Sequence, residues 1–134
     1  MDEFMLKVLI VDDEQYIRAS FADYFEDHGW QTLIAHSGEQ ALEILERESP
    51  DGATVDIRLP GIDGNEFIRQ ALQKNSKMVF VVCTGSPEYD IPEDLLKNFR
   101  VSDDTLQKPV VNMALMERQL LRLMEHVKGQ NIDA

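Results

Sequence analysis

Lys7-Val8-Leu9-Ile10-Val11-Asp12-Asp13-Glu14 runs four apolar residues straight into adjacent carboxylates, and a helical pattern follows. The run Val8 to Val11 is too short for a buried helix and rich in β-branched residues. It reads as a central strand covered on both faces. In an open α/β sheet, ligands collect beyond the carboxyl ends of the strands, and Asp12 and Asp13 stand at such an end. Two neighbouring acids repel each other unless a cation joins them, and an oxygen-only pair suits magnesium or calcium.

Working outward, Ile17, Phe21, Tyr24, Phe25 and His28 form one stripe of a helix that Gly29 stops. Trp30 to Ala35 alternates as a second strand. Ser37 has the form of an N-cap, with Gln40 three residues on completing a capping-box pattern. Ala41, Leu42 and Leu45 supply that helix's inner face, and Pro50 ends it. Gly52 to Asp56 is a third strand, weak by propensity but again ending in a carboxylate. Leu59-Pro60-Gly61-Ile62-Asp63-Gly64 is a dense turn signal before a helix carrying Phe67, Ile68, Ala71 and Leu72. Met78 to Cys83 is a strand that delivers Thr84-Gly85-Ser86. Pro92 suits the first turn of a short helix over Glu93 to Asn98. Thr105 to Gln107 forms a peripheral strand before Lys108-Pro109. From about Asn112 a long helix carries Met116, Leu120, Leu123 and Val127, Gly129 closes it, and the last five residues fray.

This alternation predicts an α/β fold of three layers, a doubly wound parallel sheet with right-handed crossovers. With 134 residues and no repeat or linker, the chain is expected to be one domain over 1–134, with its core over about 5–127. Thirteen basic against 25 acidic side chains give a formal charge of −12, which argues against direct binding to nucleic acid or an anionic membrane. The acidic start Met1-Asp2-Glu3-Phe4-Met5 is unlike a secretory signal. Cys83, the single cysteine, excludes an internal disulfide, fits a reducing cytoplasm, and sits in an apolar run as a buried inert thiol.

Parallel strands one, three, four and five would gather Asp12, Asp13, Asp56, Thr84 and Lys108 at their carboxyl ends. Three carboxylates against one lysine leave excess negative charge for a divalent cation. A carboxylate can also accept a phosphoryl group. Such a transfer needs a cation across the oxygens, a positive side chain and a hydrogen-bond donor. Asp56 fits the nucleophile, Lys108 the positive group and Thr84 the donor. Neither a Walker A pattern nor GxGxxG occurs, so the phosphoryl group would come from another molecule.

Asp12-Asp13, Asp56 in VDIRLPGIDG, Thr84 in CTGS and Lys108-Pro109 in QKPV together resemble the receiver domain of two-component response regulators, over roughly residues 5 to 127. The resemblance implies a five-stranded (βα)5 sheet in the order 2-1-3-4-5, flavodoxin- and CheY-like. It implies that Asp56 is the phosphoacceptor, served by a sensor histidine kinase, a phosphotransfer protein or small phosphodonors. Asp13, Asp56 and the main-chain carbonyl of Arg58 would bind Mg2+ directly, and Asp12 through water. Lys108 would pair with phosphoryl oxygens, Thr84 would swing toward them, and Gly85 would leave room. The resemblance also implies a switch controlling a downstream partner or output domain, a homodimer being one form of readout. The resemblance further implies no enzyme with an external substrate, only catalysis of the domain's own phosphorylation and dephosphorylation, and a cytoplasmic, bacterial setting.

The family usually has an aromatic three residues before the lysine, and here stands Thr105, with Tyr89 the candidate substitute. Two other functions compete. A magnesium phosphatase with an aspartyl nucleophile would show DxDx[TV] after the first strand, where this chain has Asp-Asp-Glu. A receiver-like module never phosphorylated would keep the acids for structure, Asp12 and Asp13 capping the first helix. His28, His36 and His126 read as structural or exposed, and the Met113-Met116-Met124 stripe as core. No helix-turn-helix or catalytic domain follows the last helix, which fits both a stand-alone regulator and a piece of a longer one.

Overall fold

A computed structural model describes residues 5–132. Met1–Phe4 of the acidic start and Asp133–Ala134 of the expected frayed end lie outside the described residues. The elements are β1 (Lys7–Val11), α1 (Gln15–Asp27), β2 (Gln31–Ala35), α2 (Gly38–Ile44), β3 (Gly52–Asp56), α3 (Gly64–Lys74), β4 (Val79–Thr84), α4 (Glu93–Leu96), β5 (Leu106–Gln107) and α5 (Met113–Ile132). All pairs are parallel, in the order β2-β1-β3-β4-β5, as expected.

The strand period of two sends alternate side chains into two cores. Leu9, Val11, Ala53, Val55, Phe80 and Val82 pack with Phe67, Ile68 and Leu95 on the α2–α3–α4 face. Val8, Ile10, Val79, Val81 and Cys83 pack with Phe21, Phe25, Met116 and Leu120 on the α1–α5 face. Burial of both faces explains why β1 and β4 read as continuous apolar runs. Gly52 has a packing reason. A Cβ there would lie 3.0 Å from Leu120 Cδ2 and 3.2 Å from Met124 Cε, so glycine lets α5 approach β3.

Several boundaries differ from expectation, each for a local reason. Trp30 is not in β2, because its N–H closes the end of α1 on Phe25 O, after Gly29 at φ +87°. Ser37 caps α2 by accepting from Gln40 N–H, but Gln40 Oε1 accepts from His36 N–H, not from the cap itself. On α2 the buried residues include Ile44 beside Ala41, while Leu42 and Leu45 are half-buried. Pro92 is the N-cap of α4, not its first-turn residue. That helix stops before Asn98, whose Oδ1 accepts from Arg100 N–H and turns the chain out. Thr105 is outside β5, following a turn in which Ser102 Oγ accepts from Asp104 N–H. Gly129 does not close α5, which continues to Ile132.

Candidate functional site

Three strand ends and one edge build the site. At the end of β1, Asp12 N–H donates to Ala35 O, and Asp12 Oδ1 accepts from Glu14 N–H at 2.8 Å. Arg18 Nη1 donates to Asp12 O at 2.8 Å, tying the first turn of α1 to the strand end. The capping position of α1 falls on Glu14, which makes no side-chain cap, so the Asp12–Asp13 pair is not the cap. At the end of β3, Asp56 Oδ1 accepts from Arg58 N–H at 3.3 Å. Gly64 opens α3 directly against that strand end: a Cβ there would meet Asp56 O and come 2.8 Å from Ile57 Cα. Asp63 caps the same helix, accepting from Glu66 N–H at 2.9 Å. At the end of β4, Thr84 is fully buried and its Oγ1 accepts from Ser86 N–H at 3.1 Å. Lys108, just past β5, donates its backbone N–H to Thr84 O at 2.9 Å.

The Lys108 ammonium joins the two halves. Its Nζ lies 2.9 Å from Asp12 Oδ2, 3.2 Å from Asp56 Oδ2 and 3.1 Å from Glu14 Oε2. Burial pushes the Asp12 carboxyl above its usual range, against hydrogen bonds from Glu14 N–H and Lys108 that hold it down. Burial, then the charge of Asp12, pushes Asp56 up as well. Burial would lower the Lys108 pKa, but its hydrogen bond to Asp12 and the charges of Asp12 and Asp56 outweigh that and raise it. The lysine is therefore a permanent cation at neutral pH.

Asp12, Asp13 and Asp56 each present a carboxylate oxygen within 4.8 Å of the others. Hard oxygen donors with uncompensated negative charge are what magnesium takes. Asp13 is exposed and, with Glu14, Asp56, Gly85, Glu88 and Lys108, lines an open cleft of about 510 Å³. Open space lies beside Gly85, where a Cβ would meet nothing within 4 Å. Across the mouth, Arg58 Nη2 donates to Ser86 Oγ, which donates to Glu88 Oε2.

Asp12, Asp13, Asp56 and Lys108 thus converge as expected. Thr84 arrives at the same edge with its hydroxyl turned to its own backbone turn. Glu14 was not singled out in the sequence, and only its place directly after the acidic pair hints at its contact. Thr105 and Tyr89 line one cleft of about 370 Å³. Tyr89 donates to Asn65 Oδ1 at 2.6 Å, and burial, then the charge of Asp63, pushes its phenol up to about 12. Cys83 is buried, its thiol pushed up to about 12 by burial first, as an inert core thiol should be. His28, His36 and His126 are exposed, and none joins a metal-ligand group among the described residues. In the methionine stripe Met116 is buried and Met113 and Met124 are half-buried. No helix among the described residues is long and apolar enough to cross a membrane.

A doubly wound sheet with three acids, a hydroxyl and a lysine at its carboxyl edge defines a class of phosphoryl-accepting signalling domains. The response regulator receiver domain family matches residues 8–119, and the chain belongs to it. It is 34% identical over 88 residues to sporulation initiation phosphotransferase F of Bacillus subtilis, covering 66% of this chain and 71% of that protein. It is 32% identical over 105 residues to the transcriptional regulatory protein YxdJ of the same organism, covering 78% of this chain but only 44% of that one. Among solved structures, a CheY-like receiver domain from Methanospirillum hungatei superposes with a TM-score of 0.80 at 24% identity, over 94% of this chain and 98% of that one. The regulator TrrA from Thermotoga maritima, in complex with Mg(2+)-BeF, gives 0.74 at 25% identity, over 89% and 99%.

Proposed function

We propose that this receiver takes a phosphoryl group onto Asp56 and works as a phosphorylation-controlled switch. The donor is a sensor histidine kinase, a phosphotransfer protein or a small acyl phosphate. An Asp56 carboxylate oxygen attacks phosphorus as the donor's bond to phosphorus breaks, the electron pair staying with the imidazole nitrogen of a phosphohistidine or with the departing carboxylate of an acyl phosphate. The observation that carries this reading is the Lys108 ammonium, held 3.2 Å from Asp56 Oδ2 and 2.9 Å from Asp12 Oδ2 beside an open cleft.

Asp13, Asp56 and the main-chain carbonyl of Arg58 would hold Mg2+, with Asp12 acting through water. Magnesium, when bound, offsets the negative charge that develops on the phosphoryl oxygens. Lys108 donates to one of those oxygens. Thr84 exchanges its bond from Ser86 N–H for one to another of them, and this exchange is the switch. The added charge of about −1.5 to −2 shifts an equilibrium between two arrangements of the β4–β5 edge, with a coupling of roughly 1–3 kcal/mol to a partner protein or output domain. With Thr105 where the family has an aromatic, Tyr89 and its bond to Asn65 are placed to report that change. The receiver is one domain over 1–134, acts on no external substrate, and works in the cytoplasm, where the single buried thiol stays reduced. Its homodimerisation belongs to the same proposal.

Intact mass after acetyl phosphate and magnesium tests this. Wild type is expected to gain one phosphoryl group and Asp56→Asn none. An unmodified wild type would favour a module that is never phosphorylated, and equal labelling of Asp56→Asn would place the acceptor elsewhere.

A further inference from the structure

The Lys108 ammonium has three N–H bonds and three carboxylate acceptors, so its donors are fully used. Two of the acceptors, Asp12 and Asp56, are buried members of the acidic pocket. The third, Glu14, comes from the N-cap of α1. Its side chain is 59% exposed, and it reaches the ammonium from the mouth of the cleft at 3.1 Å.

We propose that Glu14 is a positioning residue that acts through Lys108 as a brake on phosphoryl uptake at Asp56. The inference rests on Asp56 being the acceptor. An incoming phosphoryl oxygen gains a Lys108 hydrogen only by displacing a present acceptor. Releasing Asp12 would leave a buried carboxylate short of a partner out of water, and Asp56 is the reacting group. Glu14 alone returns to solvent when released, so its contact is the one surrendered. Until then its charge stands beside the path of an anionic donor and repels it. An exposed ion pair is weak and screened by salt, which makes the brake mild and salt-dependent.

The test compares wild type, Glu14→Gln and Glu88→Gln in magnesium and acetyl phosphate at low and high salt, with unfolding curves to verify that each variant folds. Glu88→Gln removes an equal charge from the same mouth without touching Lys108. Initial rates come from intact mass, and affinity for beryllofluoride, a phosphoryl mimic, from fluorine NMR. Glu14→Gln is expected to be phosphorylated about two- to fivefold faster than wild type, the scale of one exposed ion pair, and to bind beryllofluoride more tightly. The advantage should shrink at high salt, and Glu88→Gln should show a smaller gain. A Glu14→Gln rate at or below wild type, an equal gain in Glu88→Gln, or a gain insensitive to salt would overturn the inference. A labelled wild type with unchanged variants sinks the brake alone, whereas an unlabelled wild type sinks the acceptor reading and the brake together.

Discussion

The two flanks of β3 are built differently. On the β1 side the ladder pairs four residues of β1 with β3, and helices of 13 and 11 residues follow β1 and β3. Asp12 and Asp56 end these strands, locked by bonds from Glu14 N–H and Arg58 N–H. Thr84 closes β4, which pairs with β3 over five residues, but beyond β4 lie only a four-residue helix and a two-residue strand, and Lys108 follows that strand. In place of long ladders, that edge is pegged by Arg100. Arg100 is 8% exposed, and its guanidinium donates to the main-chain oxygens of Leu72, Asn75 and Met78. The acids that must not move thus stand on continuous elements. The lysine that must move stands on an edge with few backbone bonds of its own, the kind of region that opens at low cost, and the hydroxyl stands at its border, at the end of β4.

The first way to break this contrast is Gly64→Ala, which attacks the fixed flank. The added methyl must push against the backbone of Asp56 and Ile57, and we expect a loss of about 3 kcal/mol, at the upper end for overpacking, read by urea unfolding. Arg100→Met attacks the irregular flank instead. It removes charged hydrogen bonds worth roughly 1.5–3 kcal/mol each but also a buried cation whose desolvation is costly, so the net loss should be about 2 kcal/mol. Amide exchange should accelerate between residues 85 and 107 and remain slow in β1 and β3. Uniform acceleration would show that the edge is not a separate unit.

A pH series sharpens the account of the fixed acids. Asp56 has a folded pKa raised above its ordinary 3.8, by burial first and Asp12 second. A carboxyl raised in this way contributes stability that is present below the unfolded value and lost as pH climbs through the folded one. Asp56→Asn should therefore raise the melting temperature of the metal-free protein, by a gain that grows from acid toward neutral pH. A gain independent of pH would mean that the charge is not what strains the site. The smallest expected effect is at Thr54, at the centre of β3, whose buried Oγ1 has no hydrogen-bond partner among the described residues. Thr54→Val removes an unmet polar group at nearly constant volume and should stabilise by about 1 kcal/mol, without altering phosphoryl uptake.

The same contrast decides what could be read from the chain. Val8–Asp13 and Met78–Thr84 identify themselves because a strand buried on both faces must be apolar until its carboxyl end, so the first polar residues mark the site. Gly52–Asp56, with its glycine and Thr54, was legible mainly through its terminal carboxylate. Lys108 was legible through its proline and its order in the chain. Glu14 was not, since an acid at a helix start is usually a solvated one, and only the fold brings the edge lysine 94 residues away within reach. The ends of α4 and α5 were misplaced for opposite reasons. A side-chain-to-backbone bond at Asn98 cuts α4 short, whereas the helix of α5 carries on through Gly129. Arg100 gave no signal, because a buried arginine bonded to three carbonyls has the same sequence pattern as a surface one.

A structure determined with magnesium and beryllofluoride tests the central claim most directly. The account predicts the ion on Asp13, Asp56 and the Arg58 carbonyl, the mimic on Asp56, Lys108 Nζ donating to a fluoride, and Thr84 Oγ1 turned from Ser86 N–H to another. Beryllofluoride bound elsewhere, or bound at Asp56 with Thr84 still accepting from Ser86 and Lys108 still donating to Glu14 and to no fluoride, would contradict it.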